Sequence, residues 1–147
     1  MNIKRGGLLI TLVLLLLLIF LNREEVEMKK QTGFTWNKIS ASGYQLTSVL
    51  NLYNPNLLSS TIKTIDEKLF INGNQIGELD NEINQGIAGR KETSFPVAIR
   101  FSKDEVNSVS PGEKVEIVLR GEIVFQNLFG GGTIVINQKD SVYVSAL

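Results

Sequence analysis

The sequence predicts an all-β fold: an antiparallel two-sheet sandwich of about seven strands with one short helix, preceded by an N-terminal transmembrane helix. Three observations carry this. Short runs in which apolar and polar residues alternate recur from Phe34 to Val144. Turn chemistry separates them, Asn54-Pro55-Asn56 and Asn72-Gly73 above all, and no strand alternates with a long helical pattern, which rules out a parallel α/β sheet. A leucine-rich run, Leu8 to Leu21, follows Lys4 and Arg5. The chain divides into an anchor (1–22), a polar linker (23–33) and one β domain (34–147) large enough to close a single core.

The anchor run is apolar except for Thr11. As a helix, its fourteen residues rise about 21 Å, short of a hydrocarbon core of about 30 Å. Gly6 and Gly7 extend it, and Lys4, Arg5 and Arg23 can snorkel. The length also suits a signal-peptide core, but Asn22-Arg23-Glu24-Glu25-Val26-Glu27 has no small residues at cleavage-site spacing, so an uncleaved single-pass signal anchor is favoured. Basic residues precede the run, and Arg23 to Lys30 balances its charges, so the N-terminus is placed in the cytoplasm and the domain outside. Glu24 to Gln31 reads as a helical or loose spacer.

Composition excludes much chemistry. There is no cysteine, hence no disulfide, thiol nucleophile, lipoprotein attachment site or thiolate metal site. There is no histidine, which removes Ser-His-Asp and Cys-His catalysis, most zinc sites and the commonest general base. Fifteen basic residues balance fifteen acidic ones, and no basic run lies in the domain, which argues against nucleic acid.

The strands follow in order. Phe34, Trp36 and Ile39 mark the first, and Ser42-Gly43 a turn. Gln45 to Tyr53 alternates, with Leu46, Leu50 and Leu52 on one face. Pro55 cannot donate to a ladder and stops this strand, while Asn54 and Asn56 can bond the backbone groups left open there. Thr61 to Ile71 is the next strand. Ile65, Leu69 and Ile71 share a face interrupted by Glu67, which is expected near a sheet edge because an unpaired inward carboxylate is costly. The parity change between Ile62 and Ile65 predicts a bulge near Lys63-Thr64. Asn72-Gly73 supplies the positive φ values of a type I′ hairpin turn. Gln75 to Ile83 is a weaker strand, and Gln85 to Arg90 a glycine-rich loop. Glu92 to Phe101 alternates with Pro96 outward, the mark of an edge strand. Ser102 to Glu105 has capping-box spacing for a short helix through about Val109. Lys114 to Gln126 puts Val115, Ile117, Leu119, Ile123 and Phe125 on one face. Asn127 to Gly132 is a turn region, and Thr133 to Val144 closes the sheet.

A strand ending in Asn54-Pro55-Asn56, a short loop, a strand ending in Asn72-Gly73, and Gly77 shortly after resemble the late embryogenesis abundant type 2 (LEA14-like, WHy domain) family. The resemblance covers roughly Trp36 to Val144 and is sharpest from Leu50 to Gly77. It departs from the family at Leu57-Leu58, where many members carry a second proline or an aromatic residue. It implies an immunoglobulin/fibronectin III-like sandwich, no catalytic site, no cofactor, and a link to stress and desiccation tolerance. In this reading Asn54, Pro55, Asn56, Asn72, Gly73 and Gly77 are structural.

Other candidate sites are weighed against plainer roles. Asp66-Glu67 are strand neighbours on opposite faces and do not converge as an acid–base pair; Asp104-Glu105 reads as a solvated face. Asp80 and Glu82 can share a face, but the calcium-loop pattern is absent. Gly130-Gly131-Gly132 has no following Lys-Ser/Thr or helix, so a flexible hairpin outweighs a phosphate loop. Trp36 and Tyr44 fit core or sheet-edge packing better than an exposed recognition patch. The expectation is a non-enzymatic membrane-anchored module of the cell envelope, its partners the membrane and another envelope protein or surface polymer; the alternative is an adaptor subunit of an envelope complex.

Overall fold

The computed structural model describes residues 3–106 and 109–144. The first residues of the expected anchor (1–2), the middle of the expected short helix (107–108) and the domain's last residues (145–147) lie outside them. Helix α1 spans Ile3–Leu21. Eight strands follow: β1 (Glu27–Met28), β2 (Thr32–Lys38), β3 (Gly43–Tyr53), β4 (Ser60–Ile71), β5 (Asn74–Ile87), β6 (Glu92–Ser102), β7 (Lys114–Asn127) and β8 (Gly130–Tyr143). They form two antiparallel sheets. In one, β3 pairs with β6 along one edge and with β1 and then β2 along the other. In the second the order is β5-β4-β7-β8.

The alternating runs become strands because each buries one row of side chains between the sheets. Leu46, Leu50 and Leu52 of β3 face Ile62, Ile65 and Leu69 of β4 and Ile117, Leu119 and Ile123 of β7 in one buried cluster. Pro96 lies exposed on β6, which pairs with β3 alone, as an edge strand allows. The β4 register shifts between Ile62 and Thr64, at the expected bulge. Asn72 and Gly73 have φ of 51° and 80°, the left-handed pair of a tight hairpin.

The structure departs from the expectations at five places. Among the described residues there are eight strands, not seven: β1 forms inside the polar spacer, and Val26 beside it is buried in the core. β5 runs to Ile87, so much of the expected loop after Ile83 is strand, its glycine Gly86 paired with Thr61. Gly130 to Gly132 belong to β8, leaving Leu128-Phe129 as the hairpin turn; Gly132 leaves room for the Phe125 ring, which an added Cβ would meet at 2.8 Å. Glu67 is not at an edge: β4 is flanked by β5 and β7, and the side chain is wholly buried. Finally, a helix forms where a transmembrane segment is expected, but no helix among the described residues is long and apolar enough to cross a membrane.

The short helix after β6 is a 3-10 turn, Lys103–Val106, and the Ser102 N–H donates to Glu105 Oε2 at 2.8 Å, one half of the expected capping box.

Candidate functional site

β3 ends at Tyr53 and its next residue, Asn54, is fully buried at one end of the sandwich. A buried amide must find partners for all of its groups, and Asn54 does. Its Nδ2 donates to the carbonyls of Leu58 and Ile87, each at 3.0 Å. Its Oδ1 accepts from the Asn56 N–H (3.0 Å), Asn56 Nδ2 (2.9 Å) and the Ser60 hydroxyl (3.2 Å). Its backbone N–H donates to Lys91 O, and its carbonyl accepts from the Arg90 N–H. Asn54 therefore ties the β3–β4 loop to the β5–β6 loop. Gly89 makes this approach possible: an added Cβ there would lie 2.0 Å from Leu57 O.

Asn56 carries the network to the helix. Its Oδ1 accepts from the Glu24 N–H at 2.9 Å, and its Nδ2 donates to Glu24 O at 2.9 Å. Asn127 Nδ2 donates to that same carbonyl at 2.8 Å. Asn22, buried at the end of α1, caps the helix through Nδ2 to Leu18 O (2.7 Å) and accepts the Leu58 N–H on Oδ1 (2.7 Å). The Leu57 N–H donates to Leu21 O at 3.1 Å. The Asn-Pro-Asn loop is thus the seat of the helix C-terminus, and no free linker separates helix from sandwich.

The second half of the motif lies elsewhere. β4 starts beside Asn54 and ends at Ile71, so Asn72-Gly73 sits at the opposite end. Gly77 is needed because β5 and β6 come close there: an added Cβ would lie 2.8 Å from Ile99 Cγ2 and 3.0 Å from Arg100 O. The structure therefore brings Asn54, Pro55 and Asn56 together with the helix, and keeps Asn72, Gly73 and Gly77 apart from them.

A second polar cluster joins the sheets from within. Gln31 is fully buried between β1 and β2, and its Nε2 donates to the Ser48 hydroxyl (2.6 Å) on β3 and to Glu67 Oε1 (3.1 Å) on β4. Its backbone pairs with the Gln138 side chain on β8, the N–H donating to Oε1 at 3.0 Å and the carbonyl accepting from Nε2 at 2.8 Å. Burial pushes the Glu67 carboxyl up to about 7, against a smaller opposing effect of the Gln31 hydrogen bond. Gln31 Oε1 and Glu67 Oε2 have no hydrogen-bond partner among the described residues. A proton on Oε2 turns one of these two facing-inward acceptors into a donor, which is the form burial favours.

At the end away from the helix, Trp36, Tyr44 and Phe101 stack with centroids 4.8–5.9 Å apart. Trp36 and Tyr44 are buried, as core packing requires. They line a cavity of about 180 Å³ with Lys103, Val106, Val109, Pro111 and Val144, and the indole Nε1 has no hydrogen-bond partner among the described residues. Asp80 and Glu82 lie exposed on β5, and among the described residues no three His, Cys, Asp or Glu side chains gather as metal ligands would. Asp66 and Glu67 point to opposite faces of β4.

Sequence reasoning missed Asn22, Gln31, Ser48, Ser60, Asn127 and Gln138. One of them had a signal: an asparagine closing an apolar helical run is a helix-terminating residue. Gln31, Ser48, Asn127 and Gln138 are partnered across long stretches of chain, and Ser60, which bonds nearby Asn54, sits in no pattern that marks it.

No protein-family model matches this sequence, and no curated protein matches it significantly. Solved structures do match the fold. The solution structure of an Arabidopsis thaliana protein aligns with a TM-score of 0.66 at 14% identity, covering 79% of this chain and 80% of that one. That of a protein described as late embryogenesis abundant (LEA) aligns with a TM-score of 0.65 at 15% identity, over 83% and 72% of the two chains. A crystal structure of a protein from Archaeoglobus fulgidus aligns with a TM-score of 0.61 at 10% identity, over 82% of this chain and all of that one. The chain is an antiparallel β-sandwich with an LEA-like fold.

Proposed function

We propose that this chain is a non-enzymatic LEA type 2-like module held at the cell membrane by α1, with its N-terminus in the cytoplasm and the sandwich outside, where it serves a stress- or desiccation-protective binding role. The observation that carries the reading is the uncovered apolar surface of α1. Ten large apolar side chains of α1, from Leu8 to Phe20, are exposed on all sides of the helix. Leaving them in water forgoes on the order of 15 kcal/mol of apolar transfer, as much as an entire domain's stability. A bilayer supplies that cover. The short apolar run is accommodated by local thinning and by flanking basic side chains. The absence of His and Cys from the sequence supports a non-enzymatic role.

A structural or adaptor role in an envelope complex is the second reading. The edge strands β5 and β6 flank a groove that combines apolar Leu79, Ile83, Phe95 and Pro96 with polar Asn81 and Gln85, and such an edge can accept a partner strand.

Membrane fractionation of the full-length protein, with alkaline extraction and protease treatment of spheroplasts, tests the anchor. The expected result is a full-length chain that resists extraction and is cut from outside. A shortened, freely soluble form overturns the reading. Stoichiometric capture of one envelope protein from the same membranes favours the adaptor role over the protective one.

A further inference from the structure

We propose that the Asn-Pro-Asn end of the sandwich is itself a lipid-docking surface, its loop tips seated at the headgroup–acyl boundary of the bilayer that receives α1. This rests on the anchor reading and goes further: the domain's own loops, and not the helix alone, contact lipid.

Four large apolar side chains stand exposed there. Leu57 and Leu58 form the tip of the β3–β4 loop; Leu128 and Phe129 form the β7–β8 turn. Both loops are bonded to the chain leaving the helix: Leu57 and Leu58 donate to Leu21 O and Asn22 Oδ1, and Asn127 donates to Glu24 O. Leu58 and Leu128 share the wall of one surface depression, and Phe129 lines another with Asn22 and Arg23. The apolar tips therefore surround the point where the helix leaves the sandwich, and they cannot swing away from it.

The depth follows from length. The apolar run rises about 21 Å against roughly 30 Å of hydrocarbon. A helix that short pulls its attached domain toward the acyl boundary. The Arg23 guanidinium lies over the Phe20 ring, 4.5 Å from its centroid, an amphipathic pair suited to that depth. At this end Arg23, Arg90 and Lys91 are offset by Glu24, Glu25 and Glu92. Apolar insertion therefore supplies the contact, with no demand for anionic lipid.

The chain has no cysteine, so single-cysteine variants are clean labelling sites. Full-length L14C, L57C, F129C and S42C, each carrying an environment-sensitive fluorophore, are reconstituted in phosphatidylcholine vesicles with nitroxide lipids labelled near the headgroup or deep in the acyl chain. Positions 57 and 129 should be quenched several-fold more strongly by the shallow nitroxide than position 42 at the far end, and position 14 by the deep one. Replacing part of the lipid with phosphatidylglycerol should leave the pattern unchanged. If 57 and 129 behave like 42 while 14 is deeply quenched, the docking surface is overturned and the anchor stands. If 14 is not quenched, both fall. Labels at 57 and 129 that are shielded from water yet untouched by either nitroxide mean that protein, a second copy or a partner, covers this end, which also overturns the proposal.

Discussion

Glu67 couples the stability of the sandwich to pH. Its carboxyl is raised from an ordinary 4.5 to about 7 in the folded chain by burial. The folded protein holds that proton more tightly than the unfolded one. The stabilisation is therefore fully present below about pH 4.5 and is lost as pH rises through 7. At about 1.4 kcal/mol per pH unit, the loss is about 3 kcal/mol. Denaturant melts between pH 4 and 8 should show it, and E67Q should flatten the profile and be the more stable protein at pH 8. A wild-type profile that rises toward neutral pH would contradict this account of the carboxyl. Asn54 gives a second test. N54D nearly preserves the shape but replaces two donors by a buried anion facing the Leu58 and Ile87 carbonyls. It should cost more than N54A, itself about 2–3 kcal/mol, although the alanine removes more atoms. The reverse order in urea melts would mean that packing, not hydrogen bonding, is what Asn54 supplies.

At the scale of elements, the loops at the helix end stand or fall together. Gly89→Ala drives a Cβ against the Leu57 carbonyl, 2.0 Å away, and backbone cannot yield as a side-chain tip does. We expect a loss of about 3 kcal/mol or more, with amide exchange quickened in the β3–β4 and β5–β6 loops alike. Exchange that quickens in one loop only would show the two to be independent. Gly77→Ala, whose Cβ meets the Ile99 Cγ2 at 2.8 Å and the Arg100 carbonyl at 3.0 Å, a milder overlap, should cost less, about 1–2 kcal/mol. These elements were unequally legible. The Asn72-Gly73 hairpin, the stop at Pro55 and the inward row of β7 rest on backbone sterics and period-two burial, which neighbouring residues determine. Strand β1 and the reach of β5 to Ile87 rest on pairing partners far along the chain, Tyr53 and Ser60; the Leu128-Phe129 turn is local, Asn127 pairing with Gly130, but its three glycines read as loop until the ladder with β7 is seen. Gln31 reads as one more residue of a polar spacer; only the fold brings Ser48, Glu67 and Gln138 around it. Glu67 looked like an edge residue because an inward carboxylate is costly, but a raised proton affinity and one amide donor lower that cost enough for a central strand.

The whole molecule is one body from helix to far end, because Asn22, Glu24, Asn56 and Asn127 leave no slack between them. Inserting Gly-Ser-Gly-Ser between Asn22 and Arg23 should therefore change rotation and not folding. A dye at S42C on vesicle-bound protein should show markedly lower steady-state anisotropy in the insertion variant, with an unchanged circular dichroism spectrum. Equal anisotropy would mean that the joint is already loose. The rigid joint also makes the molecule a lever. Strand β3 has eleven residues, about 36 Å at the usual rise per residue. A tilt of roughly 20°, within the range that membrane helices adopt, displaces the far end sideways by about 12 Å. In the anchored state proposed above, a change in membrane thickness that reorients α1 would be amplified into a sweep of the Trp36–Tyr44 end across the surface, where a flexible tether would absorb it as slack.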